Sequence, residues 1–497
     1  MQEKNIKILS FGCRLNSLEA EKIKAMLAAS AFGSGAIIVN TCAVTAEAER
    51  QSRQAVRKIA RENPGAAIFI TGCAATRSAA DYAKIPGVAA VIPNKDKFDI
   101  NAYVGALLTP PLRGSRQAER SEGKPVGGND SRFVSPPTGA QNSAADSPAG
   151  GELTIPNLSK AFVQIQNGCN HSCSYCIVSK LRGKNVSFPY EQILNEVRTA
   201  VDNGFYEVVL TGVDIAGYMT TTPPLTGHPF AKAKGNYTEL FEHDTEFQNN
   251  SIIPEKQIPL RFSEGVASRS DDGVVVKNFF LSDLCEKLLN DVPQLQRLRL
   301  SSMDPASPEL PKIINLMARQ PRMLPHLHLS MQSGSDEILS KMSRRHNVEI
   351  VEKLTRYASS LIPHPSSFSW DIICGFPGET PELFNETVAL ARQLKPIHIH
   401  AFPFSPRPGT PAATMPGQID RTESKRRVKI INDLADENRR EFMKTQVGKT
   451  VQVLVEENNV GRTPDDISVK ISGAKIPART VCDVKLVGIN NDVFIGG

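Results

Sequence analysis

Three cysteines lie close together in the segment NGCNHSCSYCIV. Cys169, Cys173 and Cys176 have the spacing CxxxCxxC and directly follow the apolar strand AFVQIQN. Three thiolates leave one iron of a four-iron four-sulfur cluster without a protein ligand, and a small molecule can chelate that iron. A zinc knuckle or an incidental group of thiols is the alternative that spacing alone leaves open. The pattern favours an iron–sulfur cluster with one reactive, open iron.

Three further cysteines are distant in sequence but occupy equivalent places. Cys13, Cys42 and Cys73 stand in ILSFGCRLN, IIVNTCAVT and IFITGCAAT, each just beyond the carboxyl end of a predicted strand. In an open parallel sheet these ends form one edge, where such folds bind ligands. One cysteine at such a place is more often a small buried hydrophobic residue, but three at equivalent positions weaken that interpretation. We predict a second three-cysteine cluster, again with one open iron, facing the first across a domain boundary.

Composition limits the setting of this chemistry. The chain has 497 residues, too many for one core, and 40% hydrophobic with 22% charged residues is typical of a soluble globular protein of two to four domains. We expect neither a secretory signal nor a membrane anchor. Nine unevenly spaced cysteines indicate a reducing compartment, and the predicted location is cytoplasmic. A net charge of +6 permits an anionic partner such as RNA. Three cysteines have no ligand spacing and are predicted to be structural: Cys285, Cys374 and Cys482.

The order of strand-like and helix-like segments predicts an α/β protein in several parts. Residues 1–111 alternate strands with helices, as an N-terminal open parallel α/β domain does. Residues 112–158 are rich in Gly, Pro and Ser and are predicted to be a disordered linker. Residues 159–446 predict a partial or full α/β barrel, interrupted by an insertion at 217–278 that lacks clear periodicity. Residues 447–497 show β alternation and predict a small C-terminal β-barrel.

The cysteine loop between a strand and a helix resembles the radical S-adenosylmethionine superfamily. Over nearly the whole chain, the order of motifs resembles its methylthiotransferase family. The motifs are GCRLNSLEAE, NTCAVTAEAERQSRQ, TGCAA, NGCNHSCSYCIV, LTGVDI, LRLSSMDP, QSGSDEILSKMSRRH, DIICGFPGET and FPFSPRPGTPAA. Around the first two cysteines, GCRLN and NTCAVT are most similar to the branch that acts on threonylcarbamoyladenosine in tRNA. The linker, the insertion and the pair Ser330 and Met331, where the family usually has Pro and Leu, depart from the pattern.

The resemblance implies cofactors, domains and partners. It implies two 4Fe-4S clusters and S-adenosyl-L-methionine, whose amine and carboxylate would bind the open iron at Cys169, Cys173 and Cys176. These three would be catalytic as the radical-generating site, and all six cysteines would be metal ligands. The C-terminal barrel would be an RNA-binding TRAM domain. The implied partners are the tRNA anticodon stem-loop and a low-potential electron donor such as flavodoxin or ferredoxin.

Further binding residues are predicted at strand ends and beside the cysteine loop. Gly212, Asp214, Gln332 and Asp371 are placed for cofactor contacts, and Tyr175 suits an aromatic contact to a bound nucleoside. Without the family context, Asp371 could equally belong to an ordinary strand-to-helix turn and Tyr175 to the core. Four arginines are candidate phosphate contacts, although such runs are more often solvated faces: Arg344, Arg345, Arg426 and Arg427.

The family mechanism then predicts an enzyme that adds a methylthio group to N6-threonylcarbamoyladenosine beside the anticodon. One S-adenosylmethionine would methylate a sulfur carried on the Cys13, Cys42 and Cys73 cluster, and a second would give the radical that activates the ring carbon. Radical chemistry suits this carbon because it offers no acidic proton to a base. The alternatives are a sister enzyme acting on isopentenyladenosine in tRNA or on a ribosomal protein, and a non-catalytic iron–sulfur protein that binds RNA.

Deletion of residues 447–497 is expected to weaken tRNA binding but leave cofactor cleavage largely intact.

Overall fold

The computed structural model describes residues 6–12, 14–28, 35–108, 159–222, 268–269, 275–362 and 367–497. The chain divides into two compact units, Met1–Leu153 and Thr154–Gly497. The predicted linker 112–158 and the interior of the insertion, 223–267, lie outside the described residues. Within the described ranges, no helix combines the length and the apolar character that crossing a bilayer requires.

The first unit is a parallel four-stranded sheet with helices in its connections. Its elements are β1 (Lys7–Ser10), α1 (Arg14–Ala28), β2 (Ile37–Thr41), α2 (Ala46–Glu62), β3 (Ile68–Gly72), α3 (Cys73–Arg77), α4 (Ala79–Ala83), β4 (Val88–Val91) and α5 (Ile100–Leu108). The strands lie in the order β1-β2-β3-β4, and β2 and β3 are buried at every position, as inner strands of a parallel sheet are. Thr45 caps α2 by accepting a hydrogen bond from the Ala48 N–H.

The second unit is built around six parallel strands. Its strands before the C-terminal barrel are β5 (Lys160–Gln164), β6 (Gln166–Asn167), β7 (Val186–Ser187), β8 (Glu207–Thr211), β9 (Met219–Thr222), β10 (Ser268–Arg269), β11 (Val275–Phe280), β12 (Arg297–Leu300), β13 (His326–Gln332), β14 (Ser367–Cys374) and β15 (His398–Pro403). The six strands form two sheets, β5-β8-β12 and β13-β14-β15. A parallel β-bridge between Met303 and Leu329 connects these sheets. No pairing joins β5 to β15 among the described residues, so this is the partial form of the predicted α/β barrel.

The helices connect the strands of this unit, and most of them contribute side chains to the main apolar core. They are α6 (Val178–Arg182), α7 (Tyr190–Asp202), α8 (Leu281–Asp291), α9 (Glu309–Arg319), α10 (Asp336–Lys341), α11 (Val348–Leu361), α12 (Pro381–Leu394) and α13 (Arg421–Gln446). On β13 and β14 the residues Leu327, Leu329, Trp370 and Ile372 belong to the main apolar core. The residues between them are polar, and because side chains alternate across a strand they lie on the opposite face. The central sheet therefore has one apolar face and one polar face.

The insertion begins and ends on paired strands, which its sequence did not predict. In the antiparallel pair β9 and β11, Met219 is opposite Phe280 and Thr222 is opposite Lys277. Strand β10 extends this ladder. The range 217–278, predicted to be an insertion without clear periodicity, therefore carries regular strands near both ends. Short runs rich in Thr, Val and Phe favour strands, but each run here gains its partner from a distant part of the sequence.

The last part of the chain is a closed five-stranded β-barrel, as predicted. Its strands are β16 (Thr450–Val455), β17 (Val460–Arg462), β18 (Ser468–Ile471), β19 (Val481–Asn490) and β20 (Val493–Gly496). Val453, Val469 and Phe494 are fully or almost fully buried in its core. Ile397 and Met443, which precede the barrel, pack into the same cluster. The barrel core is thus shared with the rest of the second unit.

Arg297 joins the barrel to the central sheet. It begins β12, and its side chain is 0% exposed. Its guanidinium donates to the carbonyls of Gln452 at 3.2 Å, Arg462 at 3.3 Å and Thr463 at 3.1 Å. All three acceptors belong to the barrel, so one buried cation holds the barrel against the start of the sheet.

A buried acid completes this junction. The Glu207 carboxylate lies 2.7 Å from Arg297 Nε and accepts a hydrogen bond from Arg299 Nε at 2.8 Å. Lys160, at the start of β5, pairs with Asp466 in the barrel. Burial alone would raise the pKa of Glu207, but the charges of Arg299, Lys160 and Arg297 outweigh it and lower the pKa to about 2. Barrel and sheet therefore share one charge network at the amino-terminal ends of the strands.

Candidate iron–sulfur cluster sites

The first cysteine loop follows β6 and is fixed by backbone hydrogen bonds. The Cys169 N–H donates to the Gly183 carbonyl at 3.1 Å, and the Ser174 N–H donates to the Met342 carbonyl at 3.0 Å. A Cβ at Gly168 would lie 1.9 Å from the Lys184 carbonyl oxygen, so the chain passes too closely here for any side chain. These contacts place the three thiols at the carboxyl end of β5, where an α/β fold binds its ligands.

Each sulfur of this loop has a hydrogen-bond donor. The His171 N–H lies 3.4 Å from Cys169 Sγ, and the Val178 N–H lies 3.4 Å from Cys176 Sγ. The Arg344 guanidinium lies 3.6 Å from Cys173 Sγ. Such donors stabilise a thiolate, the form that ligates a metal, and tune iron–sulfur clusters.

Two of the three thiols, those of Cys169 and Cys176, have a raised pKa in the absence of a metal. Burial, with the nearby Asp214 carboxylate, raises the pKa of Cys169 to about 12. Burial also raises the pKa of Cys176. Metal binding to such thiols releases protons, and the donors already beside the sulfurs then stabilise the thiolates. Three half-buried sulfurs with donors aimed at them fit a cluster with three protein ligands.

A belt of charged residues surrounds this loop. His171 Nε2 lies 2.7 Å from Asp214 Oδ2, and Arg345 lies 2.9 Å from Asp304 Oδ2. Burial would raise the pKa of Asp304, but a hydrogen bond with His346 and the neighbouring arginines hold it well below its usual range. Candidate ligand atoms of Cys169, His171 and Asp214 lie within 4.8 Å of one another. This mixed set of ligand types is the arrangement to which the zinc-site alternative would correspond.

The predicted cofactor-binding residues lie around the same edge, each in a different setting. Asp214 is 3.9 Å from Cys169 Sγ. A Cβ at Gly212 would meet Gln166 Oε1 at 2.8 Å, so this glycine serves close packing. Gln332 has φ +67°, a strained conformation for a non-glycine residue and one found often at functional sites. Tyr175 packs edge-on against Phe376 in a small apolar cluster, with ring centroids 6.5 Å apart.

Asp371 belongs to a polar group on the sheet that sequence analysis did not identify. His328 Nε2 lies 3.0 Å from Asp371 Oδ1, and the His328 ring stacks on His400 at 5.2 Å between centroids. Burial would raise the pKa of Asp371, but its interaction with His328 lowers it. A signal for this group is present in the sequence, because HLHLSMQ and IHIHAF place histidine at every second position of two strands.

Two of the four arginines predicted to contact phosphate are buried and pair with other groups of the protein. Arg344 is nearly buried, beside Cys173 and Asp304. Arg427, 3% exposed, pairs with Glu379 at 2.7 Å. A phosphate backbone would not reach these side chains, so phosphate contact is the wrong prediction for both. The sequence shows their charge, but their burial depends on tertiary packing.

The second predicted cysteine set lies in the first unit. Cys42 follows β2, and Cys73 follows β3; the residues before them, Thr41 and Gly72, are paired across the two strands. Cys13 lies outside the described residues. The residue before it is Gly12, where a Cβ would lie 2.4 Å from Cys42 Sγ. The chain leading to Cys13 therefore packs directly on Cys42.

Both described sulfurs of this set also have donors. The Val44 N–H lies 3.5 Å from Cys42 Sγ, and Asn94 Nδ2 lies 3.4 Å from Cys73 Sγ. Both cysteines are buried, with Cys42 2% and Cys73 4% exposed. Adjacent strand ends, buried sulfurs and hydrogen-bond donors are the features that a cluster at this edge requires.

Two family models match this chain. Residues 5–93 match the family described as "Uncharacterized protein family UPF0004", and residues 163–243 and 281–391 match the "Radical SAM superfamily". The chain is 33% identical over 483 residues to the threonylcarbamoyladenosine tRNA methylthiotransferase MtaB of Rickettsia prowazekii (strain Madrid E), covering 97% of this chain and 95% of that protein. It is 28% identical over 491 residues to the tRNA-2-methylthio-N(6)-dimethylallyladenosine synthase of Corynebacterium urealyticum (strain ATCC 43042 / DSM 7109), covering 97% and 77%.

A solved structure shares the fold. The radical S-adenosylmethionine methyltransferase TsrM of Kitasatospora setae, with cobalamin and a 4Fe-4S cluster bound, has a TM-score of 0.50 at 12% identity. The similarity covers 83% of this chain and 77% of that one. It supports the α/β architecture with parallel sheets.

Proposed function

This chain belongs to the radical S-adenosylmethionine methylthiotransferase family, and we propose that it converts N6-threonylcarbamoyladenosine beside the anticodon of tRNA to its 2-methylthio derivative. The observation that carries the proposal is that the described cysteines of both sets follow parallel strands in the sequence, Cys42 and Cys73 in the first unit and Cys169, Cys173 and Cys176 in the second. One set can generate a radical and the other can hold the sulfur to be transferred. A binding protein would need neither.

At the radical site, Cys169, Cys173 and Cys176 would hold a four-iron cluster whose open iron binds S-adenosylmethionine. When bound, this cluster supplies the electron that cleaves the cofactor and so provides the deoxyadenosyl radical. The Asp214 carboxylate, 3.9 Å from Cys169 Sγ, is placed to accept a hydrogen bond from the cofactor's ammonium group. The Arg344 guanidinium stabilises the Cys173 thiolate. Gly212, Gln332, Asp371 and Tyr175 complete the proposed cofactor site.

At the second site, Cys13, Cys42 and Cys73 would hold the cluster that carries the sulfur. Gly12 packs on Cys42, so Cys13 is attached directly to a residue in contact with this site. Burial of Cys42 and Cys73 keeps water away from the sulfur ligands. Water exclusion matters because a carbon radical reacts readily with competing groups.

The proposed substrate and partners follow from the relatives and the barrel. The relative at 33% identity is named for threonylcarbamoyladenosine, and the relative at 28% for dimethylallyladenosine. The closed C-terminal barrel is the proposed TRAM-like contact for the anticodon stem-loop. A low-potential donor such as flavodoxin or ferredoxin would supply electrons in a reducing compartment, the cytoplasm.

A substitution at Gly168 tests the radical site without replacing any of its three cysteines. Gly168→Ala places a Cβ 1.9 Å from the Lys184 carbonyl oxygen and is expected to displace the cysteine loop. Anaerobically reconstituted variant protein should lose about four irons per chain, those of one cluster. The matched control is Gly183→Ala, which has a similar φ of +80° but no atom within 4 Å of the new Cβ. Equal iron content in the two variants would contradict this account of the loop.

The substrate is tested by mass spectrometry of nucleosides from a host that lacks this gene. Such a host should keep threonylcarbamoyladenosine and lose its 2-methylthio derivative, because this protein is proposed to add the methylthio group. The gene should restore the derivative, and the gene carrying Cys169→Ala should not. Loss of methylthio-isopentenyladenosine instead would move the protein to the sister branch, and an unchanged nucleoside profile would defeat the tRNA assignment.

A further inference from the structure

Behind the cysteine edge of the first unit, four side chains form a buried polar chain. Asn94 Nδ2 lies 3.4 Å from Cys73 Sγ, and Lys97 Nζ lies 3.3 Å from Asn94 Oδ1. Lys97 Nζ also lies 2.6 Å from Glu19 Oε1. The exposed fractions are 9% for Asn94, 1% for Lys97 and 0% for Glu19. An ion pair is thus buried one side chain away from a proposed cluster ligand.

We infer that Asn94 and Lys97 are positioning residues that stabilise negative charge on the Cys73 sulfur and so raise the reduction potential of the cluster at this edge. The inference rests on the proposed function, which assigns Cys73 to that cluster. Neither residue is a ligand, and both act through Cys73.

The geometry fixes which way the Asn94 amide points. A lysine ammonium only donates hydrogen bonds, so the amide atom facing Lys97 is the oxygen. The nitrogen, a donor, then faces the sulfur. The Asn94 N–H donates to Thr76 Oγ1 at 2.9 Å, and the Tyr103 hydroxyl donates to the Lys97 carbonyl at 2.9 Å. The backbone at both residues is held in place, so the amide donor is preorganised.

The ion pair strengthens this donor. A positive charge on one end of an amide polarises the amide and makes the other end a better donor, and the effect is larger in a low-dielectric interior. Buried ion pairs contribute little net stability, because both charges lose their hydration. The Lys97–Glu19 pair therefore has a clearer use in polarising Asn94 than in stabilising the fold.

The effect bears on the transfer step. When a carbon radical forms a bond to sulfur, the new bond takes one electron from the carbon and one from the sulfur. A cluster held by Cys13, Cys42 and Cys73 would keep the second electron of the broken iron–sulfur bond and so be reduced by one electron. Hydrogen bonds to cluster sulfurs stabilise the reduced, more negative state. A donor on Cys73 therefore makes the transfer more favourable.

The test uses the full chain with Cys169, Cys173 and Cys176 replaced by alanine, so that only the second cluster remains. In this background, Asn94→Leu should keep about four irons per chain but shift the midpoint potential downward in a redox titration followed by electron paramagnetic resonance. Lys97→Met combined with Glu19→Met keeps the donor and removes its polarising charge without leaving an unpaired charge. It should give a smaller shift in the same direction.

The matched control is Asn101→Leu, an exposed asparagine on α5, which should leave the potential unchanged. Equal midpoint potentials in the background protein, Asn94→Leu and the double variant would overturn the inference while leaving the second cluster in place. A background protein that binds no second cluster would instead overturn the proposed function.

Discussion

Replacing Cys169, Cys173 and Cys176 together with alanine is expected to reduce the iron content from about eight to about four per chain. The same variant should form no deoxyadenosine from S-adenosylmethionine, because the radical-generating cluster has lost all three protein ligands. Iron analysis after anaerobic reconstitution and chromatography of the reaction products measure both effects. The loss of deoxyadenosine formation should be complete, because the second cluster is assigned to carrying sulfur and not to cleaving the cofactor.

Cys285→Ala is the matched control for the removal of a cysteine. Cys285 is fully buried on α8 in the main core, where burial raises the pKa of its thiol. Its removal should cost roughly 1 kcal/mol of stability and leave both clusters and deoxyadenosine formation in place. A triple variant that still forms deoxyadenosine would refute the assignment of the radical site.

Arg297→Met is expected to lower the free energy of unfolding by about 3–5 kcal/mol at neutral pH. The change removes the cation that lies beside the Glu207 carboxylate and leaves three barrel carbonyls without their donor. Urea unfolding of the cluster-free protein measures it. Combining Arg297→Met with Glu207→Gln should not restore the stability, because Glu207 also pairs with the buried Arg299, which would then lack its carboxylate.

The control for this change is Arg319→Met. Arg319 pairs with Glu286 at 3.0 Å, but its side chain is 61% exposed. An exposed pair contributes at most about 1 kcal/mol, so this variant should unfold almost like the wild type. Equal destabilisation by the two methionine variants would show that the buried network does not hold the barrel to the sheet.

This network changes what deletion of the barrel should do. From the sequence, removal of residues 447–497 is expected to spare cofactor cleavage, since recognition and radical generation would lie on separate domains. In the structure, the deletion would leave Arg297 without its barrel acceptors and Lys160 without Asp466. We now expect the truncated protein to be unstable and to lose much of its cofactor cleavage as well as tRNA binding.

Local patterns were enough to predict the strands that lead to the cysteines. Runs such as IIVN and IFIT are continuously apolar because β2 and β3 are inner strands of a parallel sheet. Cys42 and Cys73 could be assigned to strand ends because each directly follows such a run. The loop with Cys169 was recognisable from its spacing. In each case the signal lies within about ten residues of the chain.

The side chains around the sulfurs could not be predicted in this way. Arg344 reaches Cys173 across 171 positions of the sequence, and Asn94 reaches Cys73 across 21. Arg297 meets Thr463 across 166 positions. Charge and residue type are visible in the sequence, but whether a charge is buried or exposed depends on which elements pack together. Arg427 shows this clearly, since it belongs to a basic run and is nevertheless buried.

The most direct test of the central claim is a reaction with purified, reconstituted protein. An anticodon stem-loop carrying N6-threonylcarbamoyladenosine is incubated with S-adenosylmethionine and a low-potential reductant, and nucleosides and deoxyadenosine are measured by mass spectrometry. We expect 2-methylthio-N6-threonylcarbamoyladenosine together with deoxyadenosine, and Cys42→Ala should form deoxyadenosine without the methylthio product. A parallel reaction contains a stem-loop with isopentenyladenosine. The claim would be contradicted if the wild-type protein formed deoxyadenosine but transferred the methylthio group only to the isopentenyladenosine stem-loop, or to neither stem-loop.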